Sequence, residues 1–198
     1  MSRKEDILQA TFELAAEHGL RAVSLSMIAD RLGIKKPSLY NHFSSKDEII
    51  AAMYEHIRAR SAQGAPQADM RFDGTLEQIL TESMEGYLRF ISDGDMISLF
   101  KVLYSERSTS PAAAQIILAE QERMIAAVRG LFYGLTVHGR MKNEDVDTAA
   151  YVYAMTVHAM VDAHMDAVTA GRASVGEMTA DMKAAIHWFC ERMKTDEG

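Results

Sequence analysis

Residues 24–43 read Ser24-Leu-Ser-Met-Ile-Ala-Asp-Arg-Leu-Gly33-Ile-Lys-Lys-Pro-Ser-Leu-Tyr-Asn-His-Phe43. Ser24 can cap a short helix over Leu25–Leu32, because its side-chain oxygen accepts from an orphan amide of the first turn. Gly33 closes that helix and permits a tight turn. Pro37 fits the first turn of a second helix, where its missing amide would be unpaired anyway. Ile28, Ala29 and Leu32 fall inward on the first helix, and Ile34 plugs the space between the two. Leu39 and Phe43 share one face of the second at four-residue spacing. Its other face presents Lys36, Ser38, Tyr40, Asn41 and His42, all able to donate or accept hydrogen bonds. A face that needed only solubility would more often carry Glu and Lys. Short helix, tight turn, short helix is the arrangement that places one helix in a DNA major groove.

Helix punctuation continues on both sides of this motif. Ser2-Arg-Lys-Glu5 reads as a capping box opening a helix that ends near Gly19, with Ile7, Leu8, Ala10, Phe12, Leu14 and Ala15 inward. Ser45-Lys-Asp-Glu48 is a second capping box, and its helix runs to about Ala62. Gln63–Asp73, with Gly64 and Pro66, reads as a linker. Thr75-Leu-Glu-Gln78 opens a helix ending near Ser92, and a short one spans Met96–Glu106. Ser110-Pro111 starts a long helix toward His138. Asn143-Glu-Asp opens another that runs to about Ala170, with its acidic residues at the positive end of the helix dipole. Ser174-Val-Gly-Glu177 is the capping box expected to open the last helix, ending near Lys194. The reading gives an all-α chain of about nine helices with no strand. Its domains are 1–62, carrying the motif, and 63–198.

Composition narrows the classes. In 198 residues, 48% are hydrophobic and 25% charged, enough apolar content to exclude a disordered chain. Cys190 is the one cysteine, which excludes a disulfide framework and a Cys-based zinc site and fits a reducing cytoplasm. No apolar run approaches a membrane span and no leader pattern is visible at the start. The net charge of −7 looks wrong for a nucleic-acid binder, but its distribution does not. Residues 21–46 hold Arg21, Arg31, Lys35, Lys36 and Lys46 against Asp30 alone. A small basic face on an acidic body attracts phosphate at one place and repels it elsewhere.

The segments Ile7–Gly19, Ser24–Gly33 and Pro37–Phe43, followed by Lys46, resemble the TetR family of bacterial repressors. The resemblance covers about residues 3–60, and beyond that it is one of layout alone. It implies a homodimer bound to a palindromic double-stranded DNA operator, its recognition helices in successive major grooves, and release by a small-molecule effector. Carried onto this chain, it puts Lys36, Pro37 and Ser38 at base edges, and Tyr40, His42 and Lys46 at phosphates. Asn41 joins them on the same face. Ser24 and Ser26 flank the helix start, where hydroxyls and orphan amides hold a phosphate. Some members place a base-reading Arg where this chain has Ser26. An activator, or a regulator without a ligand, is the alternative on the same fold.

In the second domain, Val175, Met178, Met182, Ala185, Ile186, Phe189 and Met193 recur at three- and four-residue spacing. Of these, Met178, Met182, Ile186, Phe189 and Met193 are the dimer interface that the resemblance implies, a four-helix arrangement with the preceding helix, with burial within one subunit as the competing reading. Met84, Tyr87, Phe100, Tyr104, Met124, Val128 and Met155 are candidates for an adaptable apolar pocket, with ordinary core as the competing reading. His158 and Asp162 share a helix face and could bind one metal or one ligand group, with a His–Asp hydrogen bond inside the domain as the favoured reading. His164 falls on another face, so no three-ligand metal site is expected there. No P-loop, GxSxG elbow or HExxH is present, so no enzyme and no cofactor is expected.

Overall fold

The structure, a computed structural model, describes residues 3–63, 72–142 and 144–195, without the side chains of 61–63, 94 and 95. Among these residues it holds nine helices and no strand. They are α1 (Arg3–His18), α2 (Leu25–Arg31), α3 (Lys36–Leu39), α4 (Lys46–Gln63), α5 (Leu76–Ser92), α6 (Gly94–Glu106), α7 (Pro111–Val137), α8 (Val146–Thr169) and α9 (Ala180–Met193). Ser2 of the expected first capping box, most of the linker 63–73, and Asn143 lie outside the described residues.

The helices group into two compact units, one of Met1–Gly64 and Gly94–Leu118, the other of Ala65–Asp93 and Ala119–Gly198. A division after residue 62 would place everything beyond it in one domain. By packing, residues 94–118 go with the N-terminal unit instead. The reason is a second apolar face: α6 buries Met96, Leu99, Val102 and Leu103 and lies against α1.

In the first unit α1 buries Ile7, Ala10, Phe12, Leu14 and Ala15, and Thr11 donates its hydroxyl to the Ile7 carbonyl at 2.7 Å. Ser24 accepts from the Met27 amide at 3.2 Å, capping α2 as expected. The far end of α2 closes with two crossed bonds, Gly33 N–H to the Asp30 carbonyl (3.1 Å) and Ile34 N–H to the Ala29 carbonyl (3.0 Å). That motif needs a left-handed residue, and Gly33 supplies it with φ +64°. The start of α4 departs from the expected box by one residue. Glu48 N–H donates to Ser45 Oγ at 3.1 Å, but the Glu48 carboxylate reaches the Ser44 amide (2.6 Å) and hydroxyl (2.7 Å). Those bonds from Ser44 hold the Glu48 carboxyl below the usual range.

In the second unit Thr75 and Gln78 form the expected reciprocal capping box at 3.2 and 2.9 Å. Phe132, Tyr153 and Phe189 tie α7, α8 and α9 together, with ring centroids 4.8–5.4 Å apart. Asp145 caps α8, accepting from the Thr148 amide at 3.2 Å. The last helix begins later than its sequence punctuation suggested. Residues 174–177 make a turn, whose Val175 carbonyl is bonded to His164 Nε2 at 3.0 Å, and Thr179 is the true cap. Val175 and Met178 therefore precede α9 rather than belonging to its stripe.

Candidate functional site

The motif's inner face is closed. Ile28, Ala29, Leu39 and Phe43 are all buried, and the Lys4 ammonium lies 5.3 Å from the Phe43 ring centroid. Only Lys36–Leu39 has regular helical bonding. The chain then continues as a turn in which the His42 and Phe43 amides both donate to the Leu39 carbonyl. The short α3 still presents the expected surface. Lys36, Pro37 and Asn41 are exposed, Ser38 and His42 half-buried. Tyr40 is 51% exposed, off the Leu39–Phe43 face. Ser26 is exposed beside the capping Ser24.

Two of the basic residues counted over 21–46 are engaged within the fold. Arg31 reaches from α2 to α1, with Nη1 on Glu13 at 3.1 Å and Nη2 on Glu17 at 2.8 Å. The guanidinium bond holds the Glu17 carboxyl below its ordinary value. Lys46 donates to the Arg21 carbonyl at 3.3 Å. That bond fixes the lysine beside the groove of about 380 Å³ lined by Leu20, Arg21, Asp47, Ile50, Tyr54, Glu106 and Ser110. An ammonium has three protons, so one bond to a carbonyl leaves two for a phosphate.

The expected pocket residues divide between the units. Phe100 and Tyr104 stand in the first, their rings 5.9 Å apart with Arg107 over Tyr104. Met84 is buried core of α5. Tyr87, Met124, Val128, Met155, His158 and Asp162 belong to the second unit and all are half-buried. Two residues not expected there join them. The Gln121 amide donates to His158 Nε2 at 2.9 Å, linking α7 to α8. Glu120 pairs with Arg123 and, with Asp162, acts on the Tyr87 hydroxyl, whose pKa rises first through burial and then through these carboxylates. Gln121 was legible in principle, since it precedes Met124 and Val128 at helical spacing.

The expected dimer stripe divides by burial. Met182 and Ile186 are each 1% exposed within a single protomer, so a partner has nothing left to cover. They are held by this chain's own packing of α9 on α5. Phe189 packs in the aromatic cluster and, like Met178 and Met193, is half-buried. The large apolar side chains left outside on these helices are Tyr151 and Val152 on α8 and Trp188 on α9.

Comparison with known proteins bears on both units. Residues 7–53 match the family model for bacterial regulatory proteins of the tetR family. Residues 78–194 match that for the C-terminal domain of AefR-like transcriptional repressors. The chain is 32% identical over 120 residues to the HTH-type transcriptional activator FasR of Mycolicibacterium smegmatis, covering 60% of this chain and 54% of that one. It is 38% identical over 88 residues to the HTH-type transcriptional repressor KstR2 of Rhodococcus jostii, 42% of each chain. The matches thus span about half, or less, of these curated relatives. A TetR transcription regulator from Haloarcula marismortui shares the fold at a TM-score of 0.70 and 16% identity, over 97% of this chain and 98% of that one.

Proposed function

Since the chain belongs to the TetR family of bacterial transcriptional regulators, we propose that it is a ligand-released repressor. In this reading two protomers bind a palindromic operator, each placing α3 in a major groove. The observation that carries it is the surface of α3 and the turn that follows it. Lys36, Ser38, Asn41 and His42 stand over a packed Leu39 and Phe43, with Tyr40 turned outward. Lys36, Pro37 and Ser38 read base edges. Tyr40, His42, Lys46, Ser24 and Ser26 hold phosphates, with the Ser24 hydroxyl also serving the α2 cap. An effector bound in the second unit favours a dimer whose recognition helices are wrongly spaced for two grooves.

The second copy docks on the outer face of α8 and α9 through Val152, Tyr151 and Trp188, with Met178 and Met193 at its edge. The relatives include repressors and an activator, so activation on the same fold is the second reading. The family consists of regulators rather than enzymes. No helix among the described residues is long and apolar enough to cross a membrane, which fits a cytoplasmic DNA binder. Gel-shift titration against the DNA upstream of its own reading frame, with and without cell metabolites, tests the proposal. Binding that metabolites abolish supports a released repressor. Binding that they leave unchanged removes the effector, and no binding to any upstream DNA removes the operator.

A further inference from the structure

The turn between α1 and α2 is anchored at both ends, because Leu20 and Val23 are 5% and 2% exposed. Gly19, at φ +81°, reverses the chain, and its carbonyl accepts from the Ala22 amide at 3.1 Å. Arg21 stands in this turn with its side chain exposed. Its carbonyl accepts from the Lys46 ammonium at 3.3 Å, which fastens the turn to the start of α4 as well. Arg21 and Lys46 line one groove, together with Leu20, Ile50 and Tyr54. Ser24, the cap of α2, follows three residues later. Arg21 therefore adjoins two side chains assigned to phosphates above, Ser24 along the chain and Lys46 through its own carbonyl. Among the described residues the Arg21 guanidinium makes no ion pair and no hydrogen bond. Arg31, by contrast, is clasped by Glu13 and Glu17.

We propose that Arg21 is a further phosphate contact in the DNA complex, outside the helix-turn-helix motif and next to the phosphate assigned to Lys46. The inference rests on the DNA-binding reading above and adds a binding residue to it. A side chain on a fixed backbone loses little conformational freedom when it is captured. A guanidinium offers five N–H donors in a planar fork that matches two oxygens of one phosphate. With no partner in the free protein, it gives up no bond to make that one. Asp47 and Glu106 line the same groove, and neither is ion-paired with Arg21 or Lys46 among the described residues. Asp47 lies in the first turn of α4, where the helix dipole favours an anion. Lys46 alone would face these two carboxylates. Arg21 balances them, so a phosphate there no longer meets net negative surroundings.

Salt titration of DNA binding by the full-length protein tests this. The probes are the duplex upstream of its own reading frame and a duplex of unrelated sequence. Arg21→Ala keeps the main-chain carbonyl that holds Lys46, so it removes the guanidinium and leaves that bond. It is expected to weaken both duplexes alike, about tenfold per protomer at about 0.1 M salt, and to flatten the slope of log K against log salt by about one per protomer. Sites selected from random DNA should match the parent's. Arg21→Lys should restore the slope, and Glu106→Gln should raise affinity by removing a like charge from the groove. Lys101→Ala, at an exposed cation of α6, is the control and should leave the slope unchanged. If Arg21→Ala loses helicity by circular dichroism, Arg21→Gln takes its place with the same expectation. An Arg21→Ala slope equal to the parent's overturns the proposal and leaves the repressor standing. So does a slope that Arg21→Lys fails to restore, or a fall in affinity for Glu106→Gln as large as for Arg21→Ala, since either makes packing rather than charge responsible. A changed selected site would make Arg21 a base reader and overturns it too. A parent protein that binds neither duplex overturns both this proposal and the repressor reading.

Discussion

A guanidinium clasped by two carboxylates is a poor phosphate ligand, so Arg31, held between Glu13 and Glu17, drops out of the basic face. In the proposed reading, sequence specificity then falls on Lys36 and its neighbours. A lysine can reach the O6 and N7 acceptors of guanine. Lys36→Ala is therefore expected to relax preference at one base pair per half-site by about 1–3 kcal/mol, read by selection from random DNA. Ser26→Ala, at a proposed phosphate contact, should lower affinity and leave the selected sequence intact. If Lys36→Ala enriches the parent half-site equally sharply, readout rests on Ser38 and Asn41. Lys46→Ala should weaken all sequences alike and flatten the slope of log K against log salt by about one per protomer. An unchanged slope would mean that its bond to the Arg21 carbonyl is its whole role. Cys190 belongs to stability instead. It is 3% exposed, and burial raises its pKa to about 12. Alkylation at pH 8 should therefore be slow in the native protein and fast in urea. The folded thiol keeps its proton while the unfolded one loses it near 9. Its stabilising contribution is thus present below that pH and declines as pH rises from about 9 toward 12. Native labelling as fast as in urea would contradict its burial.

At the scale of elements, caps and turns were the most legible features, because each depends on one side chain and its nearest amides. Ser24, Thr75 with Gln78, and Ser110 all cap as their sequences suggest. The failures have a common cause. Ser174–Glu177 has the residues of a capping box, but the Val175 carbonyl is bonded by the buried His164, and the helix waits for Thr179. A tertiary partner decided between two local solutions that sequence leaves nearly equal. The apolar spacing around Met182 and Ile186 likewise shows that a face is covered, not what covers it. On α3 the exposed positions were legible because the Leu39–Phe43 spacing fixed the phase. Gln121 was missed because it meets His158 across 37 residues of chain. The glycines of α7 show the same limit. A Cβ at Gly130 meets nothing within 4 Å, while one at Gly134 would lie 2.5 Å from the Phe72 ring. That ring is stacked on His138 at 4.3 Å, and the Phe72 carbonyl accepts from Arg140 at 3.2 Å, so it is not free to swing away. Gly130→Ala should stabilise by about 0.5–1 kcal/mol, the usual helix gain. Gly134→Ala should destabilise, since overpacking costs about 1–3 kcal/mol. In a Phe72→Ala background the second substitution should become neutral or favourable. Urea midpoints for the four proteins decide it, and a stabilising Gly134→Ala in the parent would place Phe72 elsewhere.

For the molecule as a whole, the question is which face meets a second copy, since the palindromic operator proposed above would demand two recognition helices. A residue that one protomer already covers cannot contribute new burial on association. Met182 and Ile186 are in that position, whereas Val152 is 51% and Trp188 58% exposed. The two are linked through the inside: Tyr153 and Phe189, each one residue later, meet at 4.8 Å. Arg192 lies 3.7 Å over the Trp188 ring, so the indole enters an interface with its cation already in place. The two classes of substitution should therefore separate. Met182→Glu buries a charge inside the protomer at a cost of several kcal/mol, and should give unfolded or aggregated protein whatever the dimer's geometry. Val152→Glu with Trp188→Glu adds charge to surface that tolerates it, so helicity by circular dichroism should be kept. Sedimentation should then show a monomer, and operator affinity should fall because each half-site must be bound separately. A double variant that remains a dimer at the parent's concentrations would move the interface off α8 and α9. The exposed Tyr133 and Val137 at the end of α7 would then be the next face to charge.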